Sequence, residues 1–182
     1  VNELEGKHIG FFTDFATEEG EQVNIKVGIS FVDMEGAYRN YRAEAQNVDF
    51  DRARARAWNR WETALDCIDI KGGTENERTV FYTSLYHTMI DPRVYEDVDG
   101  RYVGGDYKIH KNGGSFRKRT IFSGWDVFRS QMPLQTIINP EMVEDLINSL
   151  VTMADQSGRE YFERWEIVNA YSGCMLGNPA TS

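Results

Sequence analysis

The sequence predicts a mainly α-helical fold with a short β portion at its N-terminal side. Three observations carry this reading. Apolar residues alternate with polar ones from Val23 to Phe31, a period of two. From Asp33 onward they recur at helical spacing. Between the helical stretches, residues 93–120 lose that period and fill with the turn dipeptides Asp99-Gly100, Gly104-Gly105 and Asn112-Gly113-Gly114.

Taken in order, Val23 to Phe31 reads as a half-buried strand, with His8 to Phe15 as its partner across a polar turn near Thr17 to Glu21. Two strands alone are marginal in water, so this hairpin is expected at the edge of a larger sheet and packed away from the helices after Phe50. Asp33 is a candidate N-cap for a connector helix over residues 34–48, with Ala37, Tyr38, Tyr41 and Ala45 on one face. Phe50, Ala53, Ala57, Trp58, Trp61, Leu65 and Ile68 mark a second helix, with Arg52, Arg56 and Arg60 elsewhere on its surface. Thr74 followed by Glu77 is a capping box opening a third, whose buried face includes Phe81, Leu85 and Met89 and whose end is marked by Asp91-Pro92. Short hairpins or a long excursion are expected over 93–120. Helical pattern resumes near Trp125 with a break or kink at Pro133. Asn139-Pro140 opens the last helix, with Val143, Leu146, Ile147, Leu150 and Met153 as its apolar stripe and Gly158 as its stop.

Composition narrows the partners. Hydrophobic residues make up 41% and charged residues 27% of the chain, a globular balance. The net charge of −9 argues against a nucleic-acid ligand, whose binding rests on Lys and Arg. No apolar run approaches the roughly 20 residues a membrane span needs. Val1 is not an initiator Met and no signal peptide is visible, so the sequence reads as a piece trimmed from a longer chain. Cys67 and Cys174 form neither a disulfide framework nor a zinc spacing, although one bridge between them stays open.

Most apparent motifs have plain readings. Asp97-Val98-Asp99-Gly100 lacks the Gly and Glu of a calcium-binding EF-hand, because Tyr102 and Lys108 stand there, and it reads as a turn. His8, His87 and His110 are dispersed without metal-ligand spacing. Richer chemistry lies in Phe122-Ser123-Gly124-Trp125-Asp126-Val127-Phe128-Arg129. Asp126 and Arg129, one helical turn apart, suit either a capping or ion-pair role or a polar cluster beside Trp125 of the kind sugars require. Trp165-Glu166, near Asn169, repeats the combination about 40 residues on, again open between a core Trp with a surface Glu and a sugar site. Spacing alone also allows Asp126 and Glu166 as a glycosidase acid/base pair, without showing that they meet.

An ordered series of segments resembles glycoside hydrolase family 92: Phe81 to Thr88, Asp97 to Tyr102, Phe122 to Arg129, Pro133-Leu134, Asn148-Ser149-Leu150, Trp165-Glu166 and Cys174 to Gly177. The resemblance runs from about Lys26 to the end of the sequence. It implies a calcium-dependent, inverting exo-α-mannosidase built from an N-terminal β-sandwich and an (α/α)6 barrel. Residues 1–32 would then be the last strands of the sandwich, 33–72 linker helices, and 73–182 the incomplete start of the barrel. The resemblance also implies that Asp126 hydrogen-bonds the terminal mannose and that Trp165 lines the same pocket, with Arg129, Glu166 and Trp125 in support. General acid, general base and most Ca2+ ligands are expected in later sequence, so this piece alone is expected to be inactive. α-Mannoside glycans are the implied partners, and a secreted or periplasmic location follows from the family. Around Trp165 the sequence departs from the family pattern: Gly158 to Arg164 is about two residues longer than usual, and Asn169 to Gly173 replaces an acidic, Thr-containing segment. A non-catalytic carbohydrate-binding or scaffold protein is the competing reading, and a helical-barrel glycosidase acting on another sugar is a third.

Overall fold

The computed structural model describes residues 6–10, 12–177 and 179. Among the described residues three helices come first, then five short strands, three more helices and two last strands, and the helical character expected from the period begins at Met34.

The first correction concerns the N-terminal segment. No strand forms among the described residues before Met34, and the expected hairpin is absent, Phe11 lying outside those residues. Val23 to Phe31 passes without ladder partners, and Val27 is 70% exposed. Alternation marks a face that wants covering, but a strand exists only where a neighbour takes its N–H and C=O groups. The segment lies against the connector helix. A Cβ on Gly28 would stand 2.4 Å from the carbonyl oxygen of Ala37 and 2.7 Å from the Tyr41 Cβ, so the backbone lies directly against helix α1 (Met34–Glu44). Asn40 donates to the Ile29 carbonyl at 2.8 Å, and Lys26 to that of Gln46 at 3.0 Å. Asn24 to Val27 then share an open cleft of about 710 Å³ with Asp49 to Asp51 at the start of helix α2 (Phe50–Leu65).

Of the expected caps, those at Asp33 and Thr74 are present, whereas Asn139 makes no side-chain capping bond ahead of Pro140. The Asp33 carboxylate accepts from the Gly36 amide at 2.6 Å and starts α1. Asp49 does the same for α2 through the Arg52 amide at 2.8 Å. Thr74 and Glu77 exchange both capping-box bonds at the head of α3 (Glu75–His87). On α3 only Leu85 is fully buried, with Phe81 half-buried, and the expected Met89 lies past the helix end at His87; α2 buries no residue fully and Trp58 is largely exposed.

Residues 93–123 form the expected ribbons. Strand β1 (Arg93–Val94) pairs with β4 (Arg119–Thr120), and between them β2 (Arg101–Val103) pairs with β3 (Ile109–Lys111), all antiparallel. The Asp97-to-Gly100 segment is a turn, as read: the Gly100 amide donates to the Asp97 carbonyl at 2.8 Å. Its acids are occupied. Asp97 accepts from Ser30 and Asn40, both at 2.8 Å, and Asp99 pairs with Arg101 at 2.9 Å. Arg101 also grips Asp33 at 2.8 Å and holds its carboxyl down at about 2.

Strand β5 (Phe122–Ser123) leads into a single turn, α4 (Gly124–Val127), and α5 (Gln131–Ile138) follows. The break falls at Phe128 to Ser130 rather than at Pro133, which sits in the first turn of α5 where an N–H has no helical acceptor. Helix α6 (Pro140–Ser157) ends at a left-handed Gly158, as the sequence indicates. Its buried face is rotated about one position from expectation: Met142, Leu146, Ser149, Met153 and Ala154 are inside while Ile147 is 55% exposed. The cause is polar. Ser149 is drawn inward because its hydroxyl accepts the Arg119 amide at 2.8 Å and donates to the Asp145 carbonyl at 2.7 Å. Around it lies the core of Leu85, Tyr95, Tyr102, Phe122, Met142, Leu146, Met153 and Ala154.

Candidate functional site

Strand β5 is paired with β6 (Trp165–Ile167), and β6 in turn with β7 (Ala170–Tyr171). The register sets Ser123 opposite Trp165 and Phe122 opposite Glu166. Residues directly across a ribbon share a face and neighbours along a strand alternate, so Ser123 and Trp165 lie on one face and Phe122 and Glu166 on the other. Because the Gly124 amide donates to the Arg164 carbonyl at 2.9 Å, the Ser123–Trp165 pair is the non-hydrogen-bonded kind, whose side chains stand closer.

Asp126 enters this face through Ser123, whose hydroxyl donates to its carboxylate in a short hydrogen bond. Asp126 is exposed and Trp165 half-buried, and the carboxylate is tied to Ser123, the residue directly across the ribbon from Trp165.

The remaining expected residues divide. Arg129 forms no ion pair with Asp126 among the described residues, which corrects the fork expected from spacing. Its guanidinium stands 4.5 Å over the Trp125 ring and 4.7 Å over that of Phe128, and it donates to the Trp125 carbonyl at 3.3 Å. The reason is that α4 ends at Val127, so Arg129 lies in the break beyond it and the one-turn helical spacing does not apply, while the Asp126 carboxylate is taken by Ser123. Glu166 is likewise not beside Asp126. It is 2% exposed on the far face of the ribbon, which rules the two out as facing acid and base across one bond.

Glu166 belongs to a buried polar cluster that sequence reasoning missed. Its carboxylate accepts from the Thr120 hydroxyl at 2.7 Å and from the Asn169 amide at 2.5 Å. Burial raises its pKa, while those bonds and the charge of Lys118 oppose the rise. Lys118, 1% exposed, donates to the Ser149 carbonyl at 2.9 Å and lies 5.7 Å over the Tyr102 ring. Burial lowers its pKa to about 8, against the pull of Glu166, and burial with the same carboxylate pushes Tyr95 up to about 12. In sequence, Arg117-Lys118-Arg119 resembles any solvated basic run. No periodicity signals that its middle member faces inward.

The longer segment before Trp165 builds its own cluster. Tyr171 lies between the guanidiniums of Arg159 and Arg164, 5.3 and 5.8 Å from its ring centroid, and Arg159 pairs with the buried Glu163 at 2.5 Å. Cys67 and Cys174 are free and exposed. Among the described residues no three His, Cys, Asp or Glu side chains converge as a metal ligand set. The densest carboxylate group, Asp33, Asp97 and Asp99, is committed to Arg101. No helix among them is long and apolar enough to cross a membrane.

Residues 36–182 match the family model of the glycosyl hydrolase family 92 catalytic domain. The chain belongs to this family. It is similar to the family GH92 alpha-mannosidase BT3965 from Bacteroides thetaiotaomicron, with a TM-score of 0.78 and 30% identity over 83% of this chain and 20% of that one. The same enzyme in complex with mannoimidazole matches equally well. The GH92 glycosyl hydrolase ccman5 matches with a TM-score of 0.66 and 27% identity, over 71% of this chain and 18% of that one. A secreted glycosidase of Arthroderma benhamiae, itself uncharacterized, is 31% identical over 78 residues, which is 41% of this chain and 10% of that protein. The chain therefore spans about one fifth or less of the family 92 relatives it matches.

Proposed function

We propose that the family 92 protein carrying this chain removes terminal α-linked mannose from glycans, and that this segment contributes one wall of its sugar pocket. The observation supporting this is the placement of Asp126, through Ser123, at the Trp165 side of the β5–β6 ribbon. A carboxylate there accepts hydrogen bonds from vicinal hydroxyls, and an indole covers the apolar C–H face of a pyranose ring. The relative solved with mannoimidazole, 30% identical, supports mannose as the sugar recognised. Arg129 stacked on Trp125 supports the rim of the site rather than the carboxylate itself.

In this reading hydrolysis inverts the anomeric centre. A carboxylic acid protonates the leaving oxygen while a carboxylate on the opposite face activates water. The family resemblance puts both roles in later sequence, and this reading gives neither to Asp126 or Glu166, which lie on opposite faces of the ribbon. Calcium enters the proposal through the family resemblance alone, since no three metal-ligating side chains converge among the described residues, and none of the roles given to these residues depends on it. The segments before and after Trp165 would set preference among mannosidic linkages, because they border its position and depart from the family pattern. Residues 1–32 as sandwich, 33–72 as linker and 73–182 as the start of the barrel is the organisation this reading carries. Secretion or periplasmic residence fits a glycan substrate and the secreted relative.

The test is Asp126→Ala in the complete enzyme, with an aryl α-mannoside as substrate. Hydrogen bonds to a charged group are worth roughly 1.5–3 kcal/mol. Accordingly kcat/KM is expected to fall at least about tenfold. A matched thermal melt is expected to be unchanged, because Asp126 is exposed. An unaltered kcat/KM removes Asp126 from the site. Absence of α-mannoside turnover by the wild-type enzyme overturns the function.

A further inference from the structure

Three non-glycine residues hold left-handed backbone behind the ribbon that carries Trp165: Ile121 at φ 67°, Val168 at φ 52° and Asn169 at φ 58°. Ile121 is the single residue joining β4 to β5, and Val168-Asn169 is the two-residue turn joining β6 to β7. Asn tolerates this region, but a β-branched side chain there crowds its own backbone, so Ile121 and Val168 are strained. Glycine would relieve both. Such strain persists only where surrounding contacts over-determine it.

Those contacts come from two buried side chains. The Val168 amide donates to the Thr120 hydroxyl at 2.7 Å, and the Asn169 amide to the Glu166 carboxylate at 2.5 Å. Ile121 directly follows Thr120 in the chain, so whatever anchors Thr120 holds it as well. Thr120 closes the set by donating its own hydroxyl proton to Glu166 at 2.7 Å. Both turn amides therefore end on this pair, whose members are 4% and 2% exposed, and Ile121 is covalently next to one of them.

The location gives the pair a consequence beyond stability. Ile121 directly precedes β5 and Val168 directly follows β6, so the bonds from Thr120 to the Val168 amide and to Glu166 fix how the two strands slide past each other. A slip of one residue would send Ser123, with Asp126 attached, to the face opposite Trp165. We propose that Thr120 and Glu166 are positioning residues of the sugar site, holding the Ser123–Trp165 register that sets Asp126 beside Trp165, and that Glu166 acts from behind the ribbon without touching the sugar. This rests on the function proposed above.

The experiment compares Thr120→Val, which removes the hydroxyl at nearly constant volume, with Thr120→Ser, which keeps it, both in the complete enzyme. Thr120→Val is expected to lower kcat/KM for an aryl α-mannoside at least about tenfold, with KM raised, and Thr120→Ser to restore most of the loss. Hydrogen exchange should show faster amides over residues 121–123 and 165–169 in Thr120→Val. Should that variant fail to fold, Glu166→Gln, which keeps an acceptor of the same shape, is expected to give a smaller loss with the same exchange pattern. A folded Thr120→Val with a lower melting temperature but unchanged kcat/KM would make the pair merely structural and overturn the proposal. Unchanged exchange over these segments overturns it too, whatever the activity. Failure of the functional reading shows separately, as a wild-type enzyme without turnover, and the exchange result then decides the clamp by itself.

Discussion

Lys118 offers a direct measure of what the buried cluster costs. Its ammonium is almost fully enclosed, with one hydrogen bond to the Ser149 carbonyl and the Tyr102 ring beneath it. Burial is the main cause of its low pKa of about 8, and the Glu166 charge opposes it. The drop from 10.5 to about 8 corresponds to about 3 kcal/mol in favour of the neutral amine in the folded protein. Because the folded pKa lies below the unfolded one, unfolding takes up a proton between about pH 8 and pH 10.5. Stability linked to this group is therefore lowest and flat below pH 8, and rises across that window. Lys118→Met fills similar space without the charge, so its own profile lacks this rise. Denaturant unfolding of wild type and variant at pH 7 and pH 10.5 should show the wild type gaining up to about 3 kcal/mol relative to the variant. A wild-type-minus-variant difference that is the same at both pH values would refute the claim that a charged amine is buried there at a cost.

Two further predictions concern how the frame around the ribbon is held. Gly36→Ala puts a Cβ 2.2 Å from the Asp97 carboxylate and 2.7 Å from the Ser30 hydroxyl, and both already hold hydrogen bonds. It is expected to destabilise by roughly 1–3 kcal/mol, read as a lower unfolding midpoint, and an unchanged midpoint would mean that the Asp97 turn moves freely away from α1. Asp145→Asn weakens the bonds that α6 makes to β4, where Arg119 reaches one carboxylate oxygen at 3.0 and 3.1 Å and the Arg117 amide the other at 2.8 Å. A loss of roughly 1–3 kcal/mol is expected, with exchange quickening first at residues 117–120, and exchange that quickens elsewhere first would place the weak point outside this contact.

Local chemistry was legible in the sequence wherever neighbours along the chain decide the outcome. Asp33 and Thr74 cap their helices and Gly158 ends α6, because each uses only the backbone within a turn of itself. The Asp97-to-Gly100 turn and the helical period after Asp33 are of the same kind, and the ordered motifs from Phe81 onward placed the chain in its family. What tertiary structure alone decided is which groups meet across long sequence separations. Alternation over Val23 to Phe31 announced a strand, yet no partner strand takes its backbone among the described residues. The α6 stripe was right in period and wrong by about one position, since Ser149 turns inward to take the Arg119 amide, 30 residues away. Asp126 and Arg129 had the spacing of an ion pair, but the guanidinium found an aromatic face and the carboxylate a serine. Glu166 read as a surface partner of Trp165 and is a buried carboxylate on the opposite face, because alternation along a strand separates neighbours that sequence places side by side.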